Sequence, residues 1–310
     1  MIARAPTPPA AREIHATSAA RWTQSLARVH GQEDAGAEHR WLELDVPAPF
    51  PTPEPGQFIQ LLLVPPAAVL LPRPMSVASV ERRDGVCRVG FLYAPVGAGT
   101  RLLAALEPGD PVEVLGPLGR GFPIDRPGTP VLIAGGRGVA PLLFVAQALA
   151  HPVAGRAPRR CEFLFGARSE DHLVGLDLAR RELEVVGGRL HLSTDDGSSG
   201  LAGNVLDLLE RVAPSLEGPL VIHACGPHGM LKAVASWALA RAVPAHLAME
   251  SVMACGTGVC RGCPLPRSLA RRSAFDPGST PSLWGNREYA MCCTEGPVFE
   301  ASELDWDKVE

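Results

Sequence analysis

Residues 131–150, VLIAGGRGVAPLLFVAQALA, decide the fold. The apolar run Val131–Ala134 predicts a buried strand, and Pro141–Ala150 predicts a helix that follows it almost at once. The turn between them contains three glycines, which are Gly135, Gly136 and Gly138. Glycines at such a turn let a dinucleotide approach the N-terminus of the helix, and the alternative is a tight turn without a ligand. We therefore predict a nucleotide site here, although Pro141 replaces the third glycine of the Rossmann fingerprint.

The alternation of strand and helix continues beyond this turn. Further strands are predicted at Cys161–Phe165, Leu190–Thr194 and Leu220–Ala224, and helices at Gly175–Val185, Val205–Val212 and Met230–Arg241. This pattern predicts a parallel sheet that is covered on both faces. Cys225-Gly226-Pro227 follows the last of these strands, at the carboxyl end where such sheets bind ligands. The alternative for Cys225 is a buried small apolar residue.

The region before this turn, from about residue 21 to residue 124, follows a different rhythm. Short apolar runs are separated by turn residues such as Pro-Gly and Asp-Gly. That spacing predicts an antiparallel barrel or sandwich. The predicted strands are Trp41–Val46, Gln57–Val64, Met75–Val80, Val86–Tyr93 and Pro111–Leu115, and one helix is predicted at Thr100–Leu106.

Two short motifs in this region have the chemistry of phosphate binding. Arg73-Pro74-Met75-Ser76 combines a hydroxyl with a guanidinium, which can bind a phosphate through two hydrogen bonds. Gly97-Ala98-Gly99-Thr100 leads into the predicted helix with Thr100 as the expected N-cap, and a helix N-terminus behind a glycine loop attracts anions. Either motif alone also fits a surface turn. Together they favour a cofactor that contains a pyrophosphate.

The composition excludes several classes of protein. The 310 residues carry a net charge of −4 with no basic block, and aromatic residues make up 5%, so we do not expect nucleic-acid binding. The most apolar stretches, Phe58–Leu71 and Val131–Ala150, are interrupted by Pro or Gly, so we expect no membrane span. Met1–Thr17 lacks the apolar core of a secretory signal. We interpret it as a mobile tail and expect a cytoplasmic protein.

Five of the eight cysteines lie in the loop-rich C-terminal stretch. Cys255, Cys260 and Cys263 have the C-x4-C-x2-C spacing of plant-type [2Fe–2S] proteins. The glycines between them allow a loop to wrap closely round two irons. A fourth thiolate would come from Cys292 or Cys293, and the spacing alone does not choose between them. The alternative is a structural zinc site, although zinc more often takes paired C-x2-C motifs.

The order of these motifs resembles the ferredoxin–NAD(P) reductase superfamily. Within it, the chain is most similar to the electron-transfer (iron–sulfur) subunits of NAD-dependent dihydroorotate dehydrogenase B, from about residue 20 to residue 310. Besides the motifs above, the resemblance is carried by residues 115–122 (LGPLGRGF), 194–198 (TDDGS), 224–227 (ACGP), 253–256 (MACG) and 296–299 (GPVF). It implies a mobile tail at 1–17, an antiparallel β-barrel FAD domain at 18–126, an α/β parallel-sheet NAD domain at 127–247 and a small [2Fe–2S] domain at 248–310.

The resemblance also implies roles for individual residues. FAD would contact Arg73, Pro74, Met75, Ser76, Leu92, Tyr93, Ala94, Gly99 and Thr100, and NAD would contact Gly135, Gly136, Gly138, Cys225, Gly226 and Pro227. The cluster ligands would be Cys255, Cys260, Cys263 and Cys293, because the family's fourth ligand stands three residues before the Gly of Gly-Pro-Val-Phe. The chain departs from the family in two places. The family often has a basic residue where Ala94 stands, and its linker before the fourth ligand is usually shorter.

The function implied by the resemblance is electron relay, without acid–base chemistry on the carbon substrate in this chain. A separate FMN-containing catalytic subunit would oxidise dihydroorotate in pyrimidine biosynthesis, and electrons would reach NAD⁺ through the cluster and FAD. The complex would be a heterotetramer with two copies of each subunit. The alternatives are a reductase subunit of a hydrogenase, sulfite reductase or ferredoxin–NADP oxidoreductase complex, and a non-catalytic zinc protein that mediates assembly.

The choice between NAD and NADP stays open from the residues alone. Arg168 and Ser169 follow a predicted strand at a position where a basic side chain and a hydroxyl can hold a 2′-phosphate. Glu170 and Asp171 beside them would repel that phosphate. The resemblance favours NAD.

Overall fold

The structure is a computed structural model that describes residues 22–64, 69–152, 156–273 and 288–309. The tail predicted at 1–17 and much of the linker between Cys263 and Cys293 lie outside these ranges. Within them, no helix is both long and apolar enough to cross a membrane.

The N-terminal part of the described chain forms a curled antiparallel sheet. Its elements are β1 (Thr23–Gly36), β2 (His39–Pro47), β3 (Phe58–Leu63), β4 (Arg73–Ser76), β5 (Ser79–Arg83), β6 (Val86–Tyr93), helix α1 (Ala98–Ala104) and β7 (Pro111–Leu118). The strand order is β4-β3-β7-β1-β2-β6-β5, so the two edge strands, β4 and β5, follow each other in the chain. Val77 and Ala78 link them and bond to both sides of the sheet, because the Val77 N–H donates to Gln57 O (3.1 Å) and the Ala78 N–H donates to Gly90 O (2.8 Å). The sheet therefore curls toward the closed shape predicted from its strand spacing.

Two sequence predictions for this sheet are wrong. The single strand predicted at Met75–Val80 is two strands, because the chain crosses from one sheet edge to the other at Val77 and Ala78, which are both fully buried. The longest described strand, β1, has no predicted counterpart. Its sequence is mostly polar, and of its residues only Ala27 and Val29 are buried in the core.

The chain then alternates between strand and helix, except that the short strand β11 follows β10 directly. The elements are β8 (Thr129–Gly135), α2 (Val139–Ala150), β9 (Glu162–Ala167), α3 (Leu176–Val186), β10 (Arg189–Thr194), β11 (Leu201–Ala202), α4 (Val205–Val212), β12 (Leu220–Cys225), α5 (His228–Ala240) and β13 (Ala245–Ala248). The strands pair in parallel in the order β11-β10-β9-β8-β12-β13. Central strands β8 and β12 are almost wholly buried, as expected for a sheet covered on both faces. The predicted parallel α/β region is thus confirmed.

The C-terminal stretch returns to this second sheet. Its described elements are β14 (Pro264–Pro266), α6 (Leu269–Ser273), β15 (Tyr289–Met291), α7 (Cys292–Glu295) and β16 (Val298–Glu300). β14 and β15 form a small hairpin-like pair, and β16 adds an antiparallel edge strand to β13. Cys263, Leu265 and Met291 share one hydrophobic cluster with residues of α5 and β13. The stretch therefore packs on the parallel sheet instead of enclosing a core of its own.

A buried carboxylate joins the beginnings of two parallel strands. Glu162, at the start of β9, is 2% exposed, and its oxygens accept hydrogen bonds from Arg189 Nε (3.1 Å) and His191 Nε2 (2.8 Å) on β10. Burial alone would raise the pKa of Glu162, but the bonds from Arg189 and His191 outweigh it and hold the pKa below its ordinary value. The ionised form is therefore the one that stabilises the fold.

We predict that Glu162→Gln lowers the stability of the parallel sheet by about 1–2 kcal/mol at pH 7, because Arg189 and His191 lose a charged acceptor. A carboxyl whose pKa is lowered by folding contributes stability above its unfolded pKa, and that contribution is lost as the pH falls through the folded value. Thermal unfolding should therefore separate wild type from variant above about pH 5 and bring them together in acid. Glu184→Gln, on the exposed face of α3, is the matched control. An equal effect of both variants would contradict the assignment.

Candidate functional site

The two predicted phosphate motifs lie against each other in the structure. An ideal Cβ on Gly99, in the first turn of α1, would lie 2.3 Å from Arg73 Nε and 2.4 Å from its Nη2. The guanidinium therefore rests directly on the glycine, and a side chain at position 99 would displace it. Arg73 Nη1 also donates to Leu71 O (2.8 Å) and Pro72 O (3.1 Å), which holds the side chain over the start of the helix.

The prediction that Thr100 caps α1 is wrong. The helix begins at Ala98 and its N-cap is Gly97, whose backbone is extended. Thr100 is the third residue of the helix, and its Oγ1 accepts a hydrogen bond from the Gly97 N–H at 2.9 Å. The threonine thus closes the cap from within the first turn, as the reciprocal residue of a capping box does. This shift of two residues leaves Gly99 in the first turn beneath Arg73.

The other predicted FAD contacts differ in exposure. Leu92 and Tyr93 are buried, and they belong to different hydrophobic clusters on the two faces of their sheet. The Tyr93 hydroxyl donates to Gln32 Oε1, and burial raises the pKa of Tyr93. Ala94 follows them with intermediate exposure. On β4, Pro74 and Met75 are half-buried and Ser76 is exposed.

The two predicted NAD motifs form one close-packed pair of loops. They follow the neighbouring strands β8 and β12. An ideal Cβ on Gly138 would lie 2.2 Å from Cys225 O, and one on Gly226 would lie 3.1 Å from Gly135 Cα. Each loop therefore needs glycine so that the other can approach it. Gly136 is different, because it has a positive φ of 52° and a Cβ there would meet nothing within 4 Å.

This finding revises the reason for the glycines. The sequence argument assigns them to close approach of a dinucleotide, whereas Gly135, Gly138 and Gly226 are first required by contact between the loops. Gly136 is the glycine of the turn whose Cα faces open space. Pro141 lies in the first turn of α2, as the sequence predicts.

A cavity of about 560 Å³, the carboxyl-edge cleft, opens beside these loops. Its lining includes Gly136, Arg137, Arg168, His172 and Asp195. It lies where β8, β9 and β10 end, which is the ligand-binding edge of a parallel α/β sheet.

The carboxylate that lines this cleft comes from a residue that the sequence analysis does not single out. Arg168 lines the cleft as expected, but its acidic counterpart there is Asp195, after β10. Ser169 Oγ is bonded to His172 Nδ1 at 2.8 Å. Two adjacent acidic residues directly after a parallel strand, in Thr194-Asp195-Asp196, are the signal that could have identified the position.

The loop that contains the first three clustered cysteines docks on the antiparallel sheet. Gln60 Nε2, from β3, donates to Met253 O at 3.4 Å. Gly256 has a φ of 73°, and a Cβ there would lie 2.8 Å from Gln60 Nε2 and 3.0 Å from Leu118 Cδ1. Gly258 also has a positive φ, of 83°. The loop therefore needs these glycines both for its own curvature and for its contact with the sheet.

The thiols of the C-terminal stretch fall into two pairs. Cys263 Sγ lies 3.3 Å from Cys293 Sγ, and the Cys260 N–H donates to Cys255 Sγ at 3.5 Å. The Cys293 thiol and backbone N–H groups lower the pKa of Cys263 to about 6, against the effect of burial. Burial raises the pKa of Cys255, but backbone N–H groups of Cys260 and Thr257 lower it to about 7. Both environments favour the thiolate, which is the form that binds metals.

Adjacent residues Cys292 and Cys293 point to different partners. The Cys293 thiol faces Cys263 and also accepts a hydrogen bond from the Gly258 N–H of the loop. The Cys292 thiol is fully buried and donates to Met249 O at 3.7 Å, and its burial raises its pKa. Both residues belong to the short helix α7. The choice that the spacing leaves open therefore has a geometric basis in the structure, because only the Cys293 thiol faces Cys263.

One further cavity, the central cavity of about 1100 Å³, touches one flavin motif, one nicotinamide motif and the cysteine loop. Arg73 and Pro74 reach it from the antiparallel sheet, Gly226 from the loop after β12, and Gly262 from the cysteine loop. Residues Met249–Met253, which connect β13 to that loop, form another wall. Motifs that lie far apart in the sequence therefore line a single space.

Comparisons with known proteins agree with this architecture. Residues 132–236 match the family model described as oxidoreductase NAD-binding domain. The chain is similar over its described length to a solved chain of the NADH-dependent reduced ferredoxin-NADP oxidoreductase, with a TM-score of 0.73, 25% sequence identity and coverage of 92% of this chain and 91% of that one. The shared fold is thus that of ferredoxin-reductase-like proteins.

Curated relatives give a more specific result. The dihydroorotate dehydrogenase B (NAD(+)) electron transfer subunit of Geobacillus thermodenitrificans is 36% identical over 81% of this chain and 86% of its own length. The subunit of the same description from Desulforamulus reducens is 32% identical over 86% of this chain and 92% of its own. By this similarity, the chain belongs to the family of dihydroorotate dehydrogenase B (NAD(+)) electron transfer subunits.

Proposed function

We propose that the chain relays electrons from an FMN-containing dihydroorotate dehydrogenase catalytic subunit to NAD⁺, through a [2Fe–2S] cluster and FAD, in pyrimidine biosynthesis. When bound, these two groups link one-electron transfer to the hydride chemistry of the nicotinamide. The observation that carries the proposal is the central cavity, because the flavin, nicotinamide and cysteine motifs all contribute to its walls. Redox groups must lie close together to exchange electrons, and the protein's part is to position them.

We propose that the antiparallel sheet, within residues 18–126, holds FAD. The Arg73 guanidinium over Gly99 combines a fixed positive charge with the first turn of α1, which suits a pyrophosphate. Ser76 is exposed and available to the same ligand. The remaining proposed contacts are Pro74, Met75, Leu92, Tyr93, Ala94 and Thr100. Because the side chains of Leu92 and Tyr93 lie in the core, we assign their contribution to the backbone at the end of β6.

We propose that residues 127–247 bind NAD at the carboxyl-edge cleft. Gly136 has open space above it for the pyrophosphate. Gly135, Gly138, Cys225, Gly226 and Pro227 build the paired loops that shape the entrance between the cleft and the central cavity. Asp195 in the cleft favours NAD over NADP, since a carboxylate accepts hydrogen bonds from a ribose hydroxyl and repels a 2′-phosphate.

We propose that Cys255, Cys260, Cys263 and Cys293, within residues 248–310, hold the [2Fe–2S] cluster. Two pairs of thiols suit two irons, each of which takes two thiolates. In the parts of the chain that the structure describes, no three His, Cys, Asp or Glu side chains gather closely enough to hold a single metal ion. The C-x4-C-x2-C spacing, in place of paired C-x2-C motifs, favours the binuclear cluster over the structural zinc alternative.

We propose a heterotetramer with two copies of each subunit, located in the cytoplasm, where clustered thiols stay reduced. The electron-transfer role has support from the curated relatives, whose description includes it. A ferredoxin–NADP oxidoreductase type of complex shares the fold, but the relatives favour the dihydroorotate enzyme over that alternative.

We predict that Cys293→Ser removes the cluster and that Cys292→Ser retains it, because Cys293 faces Cys263 whereas Cys292 faces Met249. The measurement is iron and acid-labile sulfide per chain, with the visible absorption spectrum, after anaerobic purification. Cys292→Ser is also the control for loss of a buried thiol next to the site. Full iron content in Cys293→Ser together with loss in Cys292→Ser would reverse the ligand assignment.

We predict that Asp195→Asn improves the use of NADPH relative to NADH by about tenfold in kcat/KM, because one charge near a phosphate is worth roughly 1–2 kcal/mol at a partly exposed site. Reduction of a dye by either nucleotide measures this without the catalytic subunit. Asp177→Asn changes a fully exposed carboxylate on α3 and should leave the ratio unchanged. An unchanged ratio in Asp195→Asn would remove Asp195 from the nucleotide site.

The decisive test is dihydroorotate-dependent reduction of NAD⁺ by the complex that copurifies with tagged chain from its host under anaerobic conditions. We expect this activity to fall at least about a hundredfold in Cys255→Ser, with Cys292→Ser as control, because a broken relay has no parallel route. If the catalytic subunit still copurifies with Cys255→Ser, the loss of activity reflects a broken electron relay and not a failure of the complex to assemble. Protein that reduces a dye with NADH but shows no dihydroorotate-dependent activity would overturn the substrate assignment and leave the reductase core.

A further inference from the structure

The structure contains a third large cavity, the back cleft, which none of the functions above uses. It has a volume of about 1200 Å³ and lies between loops of the antiparallel sheet at residues 52–55 and 120–126 and the parallel sheet with α2. Its residues 120–126 precede β8, so it adjoins the amino end of the parallel strands. A seven-residue strand spans about 20 Å, which separates this cleft from the carboxyl-edge cleft at the other end of β8.

A buried histidine lines the back cleft without a partner on one nitrogen. His246, on β13, is 3% exposed, and among the described residues its Nε2 has no hydrogen-bond partner. Its ring stacks on His223 of β12 with 5.8 Å between centroids. Burial, with help from Arg126 and Arg120, lowers the pKa of His246 to about 4, so the ring is neutral at pH 7. Leaving a buried polar atom unpaired is unfavourable, and a hydrogen bond to a ligand atom would remove that penalty.

The arginines around the cleft are engaged by the protein, with one exception. Arg120 donates to Val298 O (3.1 Å) and Glu303 Oε2 (2.8 Å), and Arg159 donates to Gly128 O (2.6 Å). Arg156 is paired with Asp125. Arg126 lines the cleft close enough to affect the pKa of His246, and in the described parts of the chain its guanidinium has no hydrogen bond or ion pair.

The rest of the cleft suits the body of an organic molecule more than a bare ion. An apolar part of its wall is formed by Phe122, Ile124, Phe144 and Leu149. The volume exceeds that of a single anion many times and lies just above the range of about 300–1,000 Å³ that is usual for small-molecule sites. Six arginines and five carboxylates line the cleft, and the carboxylates are Glu54, Glu81, Asp125, Glu300 and Glu303. Among the described residues, Arg126 is the arginine of this set that no carboxylate or carbonyl engages, so its charge is available to a phosphate.

We propose that the back cleft binds a phosphomonoester of mononucleotide size, with its phosphate on Arg126 and a polar atom of its body on His246 Nε2. The ring system of such a ligand would pack on Phe122 and Phe144. Phe122 belongs to the antiparallel side and His246 to the parallel sheet, so the ligand would bridge the flavin-side and nicotinamide-side halves. The proposal does not depend on the identity of the electron donor.

The test is titration calorimetry of the purified full chain with the ribonucleoside 5′-monophosphates and with inorganic phosphate. Saturating NAD⁺ in the sample cell of the calorimeter keeps the carboxyl-edge cleft occupied. We expect saturable one-to-one binding of at least one mononucleotide, and binding of inorganic phosphate at least about tenfold weaker, because it lacks the apolar contacts. Arg126→Gln should weaken mononucleotide binding about tenfold or more, since a charge-assisted hydrogen bond is lost.

Two more variants make the result specific. His246→Gln should also weaken binding, while the exposed Arg211→Gln on α4 should not change it. Arg126 is exposed, so Arg126→Gln tests the site without disturbing the core. The test therefore stands even if the buried variant His246→Gln fails to fold. The proposal is overturned if no mononucleotide binds saturably, or if Arg126→Gln binds as tightly as wild type. Either result is independent of the dihydroorotate assay.

Discussion

The close contact between two backbone loops is the constraint on which the rest of the site depends. Gly138 lies so near Cys225 that a side chain at 138 would sit 2.2 Å from the carbonyl oxygen. Met230, from α5, packs over Gly135 in the same contact, at 2.5 Å from the position of a Cβ. This contact joins the ends of the two central parallel strands and shapes both cavities, since Gly226 lines the central one and Gly136 the carboxyl-edge one. Protein interiors are too densely packed to absorb even one extra methyl group at such a point.

The C-terminal stretch joins the two sheets to each other. β16 extends the parallel sheet, while Arg120, which follows β7 of the antiparallel sheet, donates to Val298 O within it. Near the start of the same stretch, the cysteine loop rests on Gln60 of β3. A segment too irregular to enclose a core thus gains its stability from the surfaces of both neighbours. Its position also brings the cysteine loop to the central cavity, where Gly262 is part of the wall.

The two ends of the parallel strands differ in chemistry. At the carboxyl end, the loops are rich in glycine, and the cleft offers backbone together with Arg137, Arg168 and one carboxylate, Asp195. At the amino end, arginines and carboxylates alternate around the back cleft, which also has an unpaired imidazole nitrogen among the described residues that line it. Loops at the carboxyl end are the usual place for ligands in such sheets. In this protein, the amino ends of the parallel strands also border a cleft, because loops of the antiparallel sheet close over them.

The sequence by itself determined the two sheet types, the strand-to-helix turn at Gly135–Pro141 and the cysteine spacing, because each is a local pattern of apolar period, glycine or thiol. Local patterns also placed most helices within two or three residues. Tertiary structure alone decided the bend at Val77–Ala78, the start of α1 at Ala98 and the path of the polar strand β1. It alone showed that Arg73 rests on Gly99, that Asp195 enters the cleft and that Cys293 faces Cys263. These features arise from contacts between residues far apart in the chain, whose energies no local pattern contains.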